Sequence, residues 1–502
     1  MEQFLTGIGE AFQPATILFI VVGVVIGYVV GVIPGLSRPT ALAIALPFTY
    51  SMSPIAALGL LIGITKGGAT GGAISAILLN IPGEPSSAAT CFDGHPMARK
   101  GQGQKALKAA LYAGVCGDLV SSVGLIALAQ PLALVALKLG PIELCSLMFF
   151  SLAFIGALTG ESLVKGILSA AIGLLVGTIG IDIETATPRL TFGFIELWDG
   201  VPLLALGIGM LALAEMMTQI EAYLLDRRRP ASFGRPLLGE DRSLGLGEFL
   251  QSRRTLARSS LVGFVIGVLP GLGATIASFM GYVLAKKASP DGHKFGTGQV
   301  EGVVAAEAAD SAVSASALIP LLALGIPGSV AAAILMGAFT IQGFAPGPLL
   351  FQQNIEIVYG IYAILIIGSV SLLLIGRLGL VVFSQVTRIP QTVLCPTIVV
   401  LCVIGAYVDG SSLFAVAVMM LFGVAGYLMQ KAGFSLVALL IGFILGPMVE
   451  LTLRQSIILI SGDYAALLSH PVALVFAAAT PLIAWKLASV SKATGPRQAE
   501  KE

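Results

Sequence analysis

Four proline–glycine pairs stand out inside or beside apolar runs, at corresponding places in two halves: Pro34-Gly35, Pro82-Gly83, Pro270-Gly271 and Pro327-Gly328. A proline within a helix removes one backbone bond and frees a carbonyl, and the neighbouring glycine loosens the chain further. Each such break leaves one half-helix ending in bare carbonyls and another starting with bare N–H groups and partial positive charge. The starts suit a carboxylate, whereas the carbonyls and nearby hydroxyls suit a sodium ion. Hydroxyls and small residues flank every break: Ser37 and Thr40, Ser86, Ser87 and Thr90, Thr275 and Ser278, and Ser329. Asn80 stands just ahead of the second pair. A lone Pro-Gly is usually a kink. Four in corresponding places predict a paired binding site, with Thr40 and Thr275 as candidates for ion coupling.

Ionisable residues in apolar surroundings are costly and therefore candidates for function. Lys66 is one: it could face an anionic substrate or extend toward the membrane surface. Glu307-Ala-Ala-Asp310 puts two carboxylates three residues apart, on one face of a helix. They could bind sodium, carry a proton or form a structural salt bridge. Around Lys66, the spacing of Gly63, Gly67 and Gly71, and of Gly68 and Gly72, is a small-xxx-small pattern. It lets helix backbones touch, and it also leaves room for a ligand. Lys66 precedes these glycines, so the stretch is not a Walker loop, and ATP-driven transport finds no support. With three unpaired histidines and five scattered cysteines, no metal site is expected. Asp93 and His95 precede a basic stretch, where His95 is expected at a turn. No histidine stands beside a plausible nucleophile, so an enzyme is not expected.

The elements that must position these residues are membrane helices. Of 502 residues, 56% are hydrophobic and only 11% charged, and the mean hydropathy is +0.95. Apolar runs of roughly 15–20 residues approach the length that crosses a bilayer core. Clear runs are Ile17–Val32, Val201–Met217, Ile357–Ile375, Leu413–Met429, Phe434–Met448 and Val472–Trp485. We expect an all-α integral membrane protein of roughly 10–12 spanning helices plus broken or re-entrant hairpins. The runs do not alternate as barrel strands would. A net charge of +1 gives no basis for nucleic-acid binding. The first twelve residues lack the basic region of a cleavable signal peptide, so the first run is expected to be kept.

Two motifs recur in the same order at near-equal spacing. Gly31-Val-Ile-Pro-Gly-Leu-Ser37 returns as Gly267-Val-Leu-Pro-Gly-Leu-Gly273, and Leu79-Asn-Ile-Pro-Gly83 as Leu324-Gly-Ile-Pro-Gly328. The expected organisation is a first membrane repeat over 1–225, a basic linker over 226–258, a second repeat over 259–486 and a tail over 487–502. The linker carries Arg227, Arg228, Arg229, Arg235, Arg242, Arg253, Arg254 and Arg258, which places it and the tail in the cytoplasm. Arg99, Lys100, Lys105 and Lys108 follow the first hairpin, whereas the counterpart stretch Phe344–Gln353 is uncharged. Lys286, Lys287 and Lys294 likewise have an uncharged counterpart near Tyr50–Ile55. Such opposite basicity fits two inverted-topology repeats. The segment between Arg258 and Lys286 is long enough for one crossing and too short for two, so it is expected to dip in and return around Pro270-Gly271.

The two motif pairs, the glycine run leading into Ile81-Pro-Gly-Glu-Pro-Ser-Ser-Ala-Ala-Thr90, Phe92-Asp-Gly-His-Pro-Met-Ala98, Glu307-Ala-Ala-Asp310 and Gly347-Pro-Leu-Leu-Phe351 together carry a resemblance over nearly the whole chain. The chain resembles the large membrane subunit, TctA type, of the tripartite tricarboxylate transporters. That resemblance implies the transport path of a bacterial inner-membrane importer driven by a sodium or proton gradient. Its implied partners are a small membrane subunit of about four spans and a periplasmic solute-binding protein that delivers a carboxylate. No cofactor is implied beyond the coupling ion. In relatives an aromatic residue often stands at or near Lys66, and asparagine often stands at Asp310; both differences bear on substrate or ion choice. The rival reading is a stand-alone ion-coupled organic-anion carrier or antiporter without a binding protein.

Overall fold

The computed structural model describes residues 2–159, 162–182, 184–225, 244–386, 389, 391–408, 412–462 and 464–493. Most of the linker expected at 226–258, and the tail beyond 493, lie outside the described residues. Among those described, eight helices are long and apolar enough to cross a membrane, and five shorter apolar helices accompany them. The chain is a multi-pass, all-helical membrane protein. Two spans, Pro54–Leu79 and Val300–Leu324, are absent from the clear apolar runs because they are rich in alanine and glycine and carry charge. They are also almost wholly buried. Small residues there face other helices, where close backbone approach replaces apolar bulk.

The helices gather into two compact units, each drawing on both halves of the sequence. The first comprises Met1–Ala133 and Glu215–Val408. Its helices include α1 (Pro14–Val32), α2 (Arg38–Ala45), α3 (Pro54–Leu79), α4 (Ala88–Met97), α5 (Gly103–Ala136), α6 (Arg253–Val268), α7 (Gly273–Ala288), α8 (Val300–Ser316), α9 (Leu318–Leu324), α10 (Val330–Ile341) and α11 (Ile355–Val386). The order of helix, Pro-Gly break, helix, buried span and second break occurs twice, the helix after the first break having 8 residues in the first half and 16 in the second. The backbone at each break recurs too. Gly35 and Gly271 have φ of +90° and +86°, and α3 and α9 end on left-handed residues, Asn80 (φ 58°) and Gly325 (φ 73°). Left-handed φ is strained for most side chains, and glycine or asparagine takes it at low cost.

Packing repeats with the backbone. In the first half α1 lies against α3, and a Cβ on Gly23, Gly27 or Gly67 would run into the facing backbone. In the second half α6 lies against α8, and Gly263 meets the Ala309 carbonyl in the same way. The segment expected to dip and return is a helical hairpin: α6 and α7 are joined by four residues and pack on one another and on α8. In the second half the two breaks touch, with the Gly271 N–H donating to the Gly328 carbonyl at 3.0 Å.

The second unit comprises Leu134–Ala214 and Asp409–Glu502. Helices Leu163–Gly177 and Leu436–Ile460 pack closely through Gly173 and Gly442. Between spans, residues 178–202 form a loop with a two-residue antiparallel ladder that pairs Gly180 with Arg189. Arg189 pairs with Glu450 and Asp182 with Arg454, which ties this loop to the helix Leu436–Ile460. Arg454 holds the Asp182 carboxyl well below the usual carboxylate range.

Candidate functional site

The buried polar residues of the first unit gather at the first-half breaks. Ser37 caps α2: its side chain accepts from the Thr40 N–H, and the two hydroxyls lie 2.9 Å apart. Just inside this start stands Arg38, which sequence reasoning passed over. Its backbone N–H donates to Glu84 Oε1 at 2.8 Å and its Nε donates to Glu84 Oε2. Nη2 reaches Ser86 Oγ at 3.1 Å and Asp310 Oδ1 at 3.2 Å. Ser86 in turn donates to Asp310 Oδ2 at 3.0 Å. One turn before Asp310, Glu307 accepts from the Thr90 hydroxyl through Oε1, while its buried Oε2 has no hydrogen-bond partner. Two buried carboxylates thus pair with one guanidinium where α2, the second break and α8 meet, and a third, Glu307, lies one turn away on α8 without a basic partner among the described residues.

The glycine run explains how a helix can lie beneath so much polarity. Gly63, Gly67 and Gly71 face the backbone of α1, whereas Gly68 and Gly72 face the other way. A Cβ on Gly68 would collide with the Arg38 side chain, and one on Gly72 would meet Ser87 Oγ at 2.5 Å. The close-packing reading of the small-xxx-small pattern holds on the α1 face, and on the other face the space is taken by the Arg38 and Ser87 side chains. Ser87 Oγ itself is buried without a partner.

Lys66 belongs to a separate cluster. Its Nζ lies 2.5 Å from Asp118 Oδ2 and 3.1 Å from Ser369 Oγ, and Ser369 donates to the same carboxylate oxygen at 2.5 Å. The ammonium is fully buried, so it does not extend toward the membrane surface. A small cavity of about 10 Å³ opens beside it, lined by Thr65, Lys66, Ser314 and apolar residues including Leu318 and Leu365.

Other expected residues are placed apart. Asn80 is exposed and serves as the left-handed end of α3. Pro34, Gly35 and Pro82 shape the turns, and Gly83 packs on the Gly31 carbonyl. In the second half Ser329 caps α10 by accepting from the Ala332 N–H at 3.1 Å. Pro270, Gly271, Thr275, Pro327 and Gly328 form that break pair without a charged side chain between them. The salt-bridge alternative holds for Asp310, which pairs with Arg38. It does not hold for Glu307, which has no basic partner among the described residues. Asp93 is a clamp: Oδ1 accepts from the N–H groups of Gly296, Gly298 and Gln299 at 2.8–2.9 Å, and Oδ2 accepts from the Tyr282 hydroxyl at 2.8 Å. His95 lies within α4, where Nδ1 is 3.2 Å from the Ile77 carbonyl, and not at the expected turn. No cluster with metal-ligand composition occurs among the described residues.

Arg38, Glu84 and Asp118 were the residues missed. Each is a lone charge in an apolar or small-residue stretch, the same signal that singled out Lys66. Opposite charges at such positions pair because burying either one alone is prohibitive.

Residues 17–441 match the model of the tripartite tricarboxylate transporter TctA family. The chain belongs to the TctA family. A relative from Agrobacterium vitis, described as an uncharacterized 52.8 kDa protein in the TAR-I ttuC' 3' region, is 35% identical over 93% of this chain and 92% of its own length. A second from the same organism, in the TAR-II ttuC' 3' region, is 36% identical over 42% of this chain and 87% of its own. No solved structure matches. As a TctA protein, the chain is a membrane component of a tripartite transporter.

Proposed function

We propose that this protein forms the transport path of a binding-protein-dependent secondary transporter that imports small di- or tricarboxylates by cation-coupled alternating access. The observation that carries the proposal is Arg38 held by the buried carboxylates of Glu84 and Asp310, with a third buried carboxylate, Glu307, one turn along α8. A guanidinium at a half-helix start is suited to a carboxylate. Acidic groups in excess of the basic ones, one with an oxygen left unsatisfied, are suited to a coupling sodium ion or proton. Lys66 of α3 with Asp118 of α5 supplies a second, charge-balanced buried pair.

In this reading the halves are inverted repeats, supported by the opposite basicity of corresponding loops. The linker and tail face the cytoplasm of a bacterial inner membrane. A small membrane subunit and a periplasmic binding protein complete the system, and no cofactor or catalysis is involved. The test is uptake of radiolabelled citrate and related carboxylates into vesicles holding both membrane subunits, with binding protein outside and sodium and proton gradients imposed separately. Uptake that needs the binding protein and one gradient is expected. Equal uptake without the binding protein would favour the stand-alone carrier, and no flux of any carboxylate would sink the transport proposal.

A further inference from the structure

Arg38 offers the most complete carboxylate receptor in the first unit, and it is already occupied. The Glu84 carboxylate uses both oxygens: Oε1 takes the backbone N–H of Arg38 at 2.8 Å and Oε2 takes the guanidinium Nε. It therefore sits against a planar donor fork and the first exposed N–H of an eight-residue helix, the geometry that recognises a carboxylate through two oxygens. The two acids on Arg38 are held very differently. Asp310 is in the middle of α8, fully buried and also bound by Ser86. Glu84 comes from a non-helical link between α3 and the turn at Pro85–Ser87. Its chain leaves α3 at the exposed, left-handed Asn80 and passes an exposed Ile81. The Glu84 carbonyl accepts from the Ser87 N–H at 3.0 Å within that turn, whereas the tie back to α3, from the Gly83 N–H to the Gly72 carbonyl, is long at 3.4 Å.

We propose that Glu84 is an internal stand-in for the substrate: a carboxylate of the transported di- or tricarboxylate replaces it on Arg38 in the loaded state, while Asp310 keeps its hold on the guanidinium. The inference rests on the carboxylate-transport reading above and assigns the residue that the substrate must displace. Its physical basis is the cost of an unpaired buried guanidinium, which makes an empty receptor unfavourable. A tethered acid pairs that charge when no substrate is present, and exchange of one carboxylate for another leaves the charge on Arg38 balanced throughout. Glu84 leaves through the link that carries it, so loading of the receptor and movement of the second break become one event.

The experiment uses acetate as probe on the purified full-length protein and reads thermal unfolding in detergent, with chloride at equal ionic strength as control. In Glu84→Ala the receptor is vacated, and acetate at tens of millimolar is expected to raise the midpoint by several degrees beyond chloride, because a ligand of the folded state stabilises it by mass action. Adding Arg38→Gln is expected to abolish that rise. An equal response to chloride, no response, or a response that survives Arg38→Gln would overturn the proposal. Should Glu84→Ala fail to fold, Glu84→Gln keeps the side chain's shape while weakening the internal competitor. It is expected to lower the acetate concentration for half-maximal effect about tenfold relative to the unaltered protein, and an unchanged concentration counts against the exchange. Citrate uptake by the unaltered protein with its partners is measured separately. Its absence strikes the transport reading, whereas the acetate titrations judge the exchange.

Discussion

The two pairs of breaks share a backbone and differ in chemistry. Both begin with a Pro-Gly pair whose glycine has positive φ, and both close on a left-handed residue, Asn80 in one and Gly325 in the other. Yet the first pair holds Arg38 and Glu84, where the matching positions of the second are Ala274 and Ser329. The second half contributes its acids instead from the buried span α8, whose counterpart α3 carries Lys66 and the glycine run. Duplicated backbone thus provides two equivalent places where helix ends are bare, and the side chains have specialised so that one place holds fixed charge. The two break pairs are therefore asymmetric: one is charged and the other is not.

The largest expected effect breaks that asymmetry. Arg38→Ala leaves Glu84 and Asp310 buried without their cation, and removing one partner of a buried pair costs about 3–5 kcal/mol. A strongly lowered unfolding midpoint and loss of carboxylate uptake are expected. Ala274→Ser, at the matching place in the second half, is expected to stay within about 0.5 kcal/mol, as substitutions away from such features do. Similar losses from the two changes would show that the charged break is not special.

The shared part of the comparison predicts equality. Gly67→Val in α3 and Gly263→Val in α6 each drive a branched side chain into facing backbone, against the Val24 carbonyl in one case and the Ala309 carbonyl in the other. Each is expected to destabilise by about 1–3 kcal/mol or more, since backbone cannot move aside as a side chain can. Unfolding of both variants in detergent checks this, and a large effect in only one half would mean that the close contacts are not equivalent.

Much of this architecture is legible in the sequence because it is written in residue types with few other uses. Pro-Gly pairs mark breaks, and repeated spacing of glycines marks touching helices. Long apolar runs mark lipid-facing spans such as Leu413–Lys431, of which little is buried. What hides from such reading is the interior. Pro54–Leu79 and Val300–Leu324 look less like spans because they face protein. The partners of a buried charge are equally hidden: Arg38 meets Asp310, and Lys66 meets Ser369, across sequence separations that no local spacing encodes. A lone charge in an apolar stretch announces that a partner exists, and only the fold names it.

The smallest effect sharpens the comparison at the closing residues. Asn80 and Gly325 occupy the same left-handed position at the ends of α3 and α9. If that conformation is all the position requires, Asn80→Gly is expected to be nearly neutral, and Gly325→Ala to cost about 1 kcal/mol from the strain of a Cβ at positive φ. The asparagine side chain is exposed, so its amide has no buried partner to lose. Unfolding of the two variants measures the backbone term, and citrate uptake measures the rest. Uptake lost in Asn80→Gly with stability intact would make the amide part of the substrate path, and the two closing residues would then differ in chemistry as the breaks beside them do.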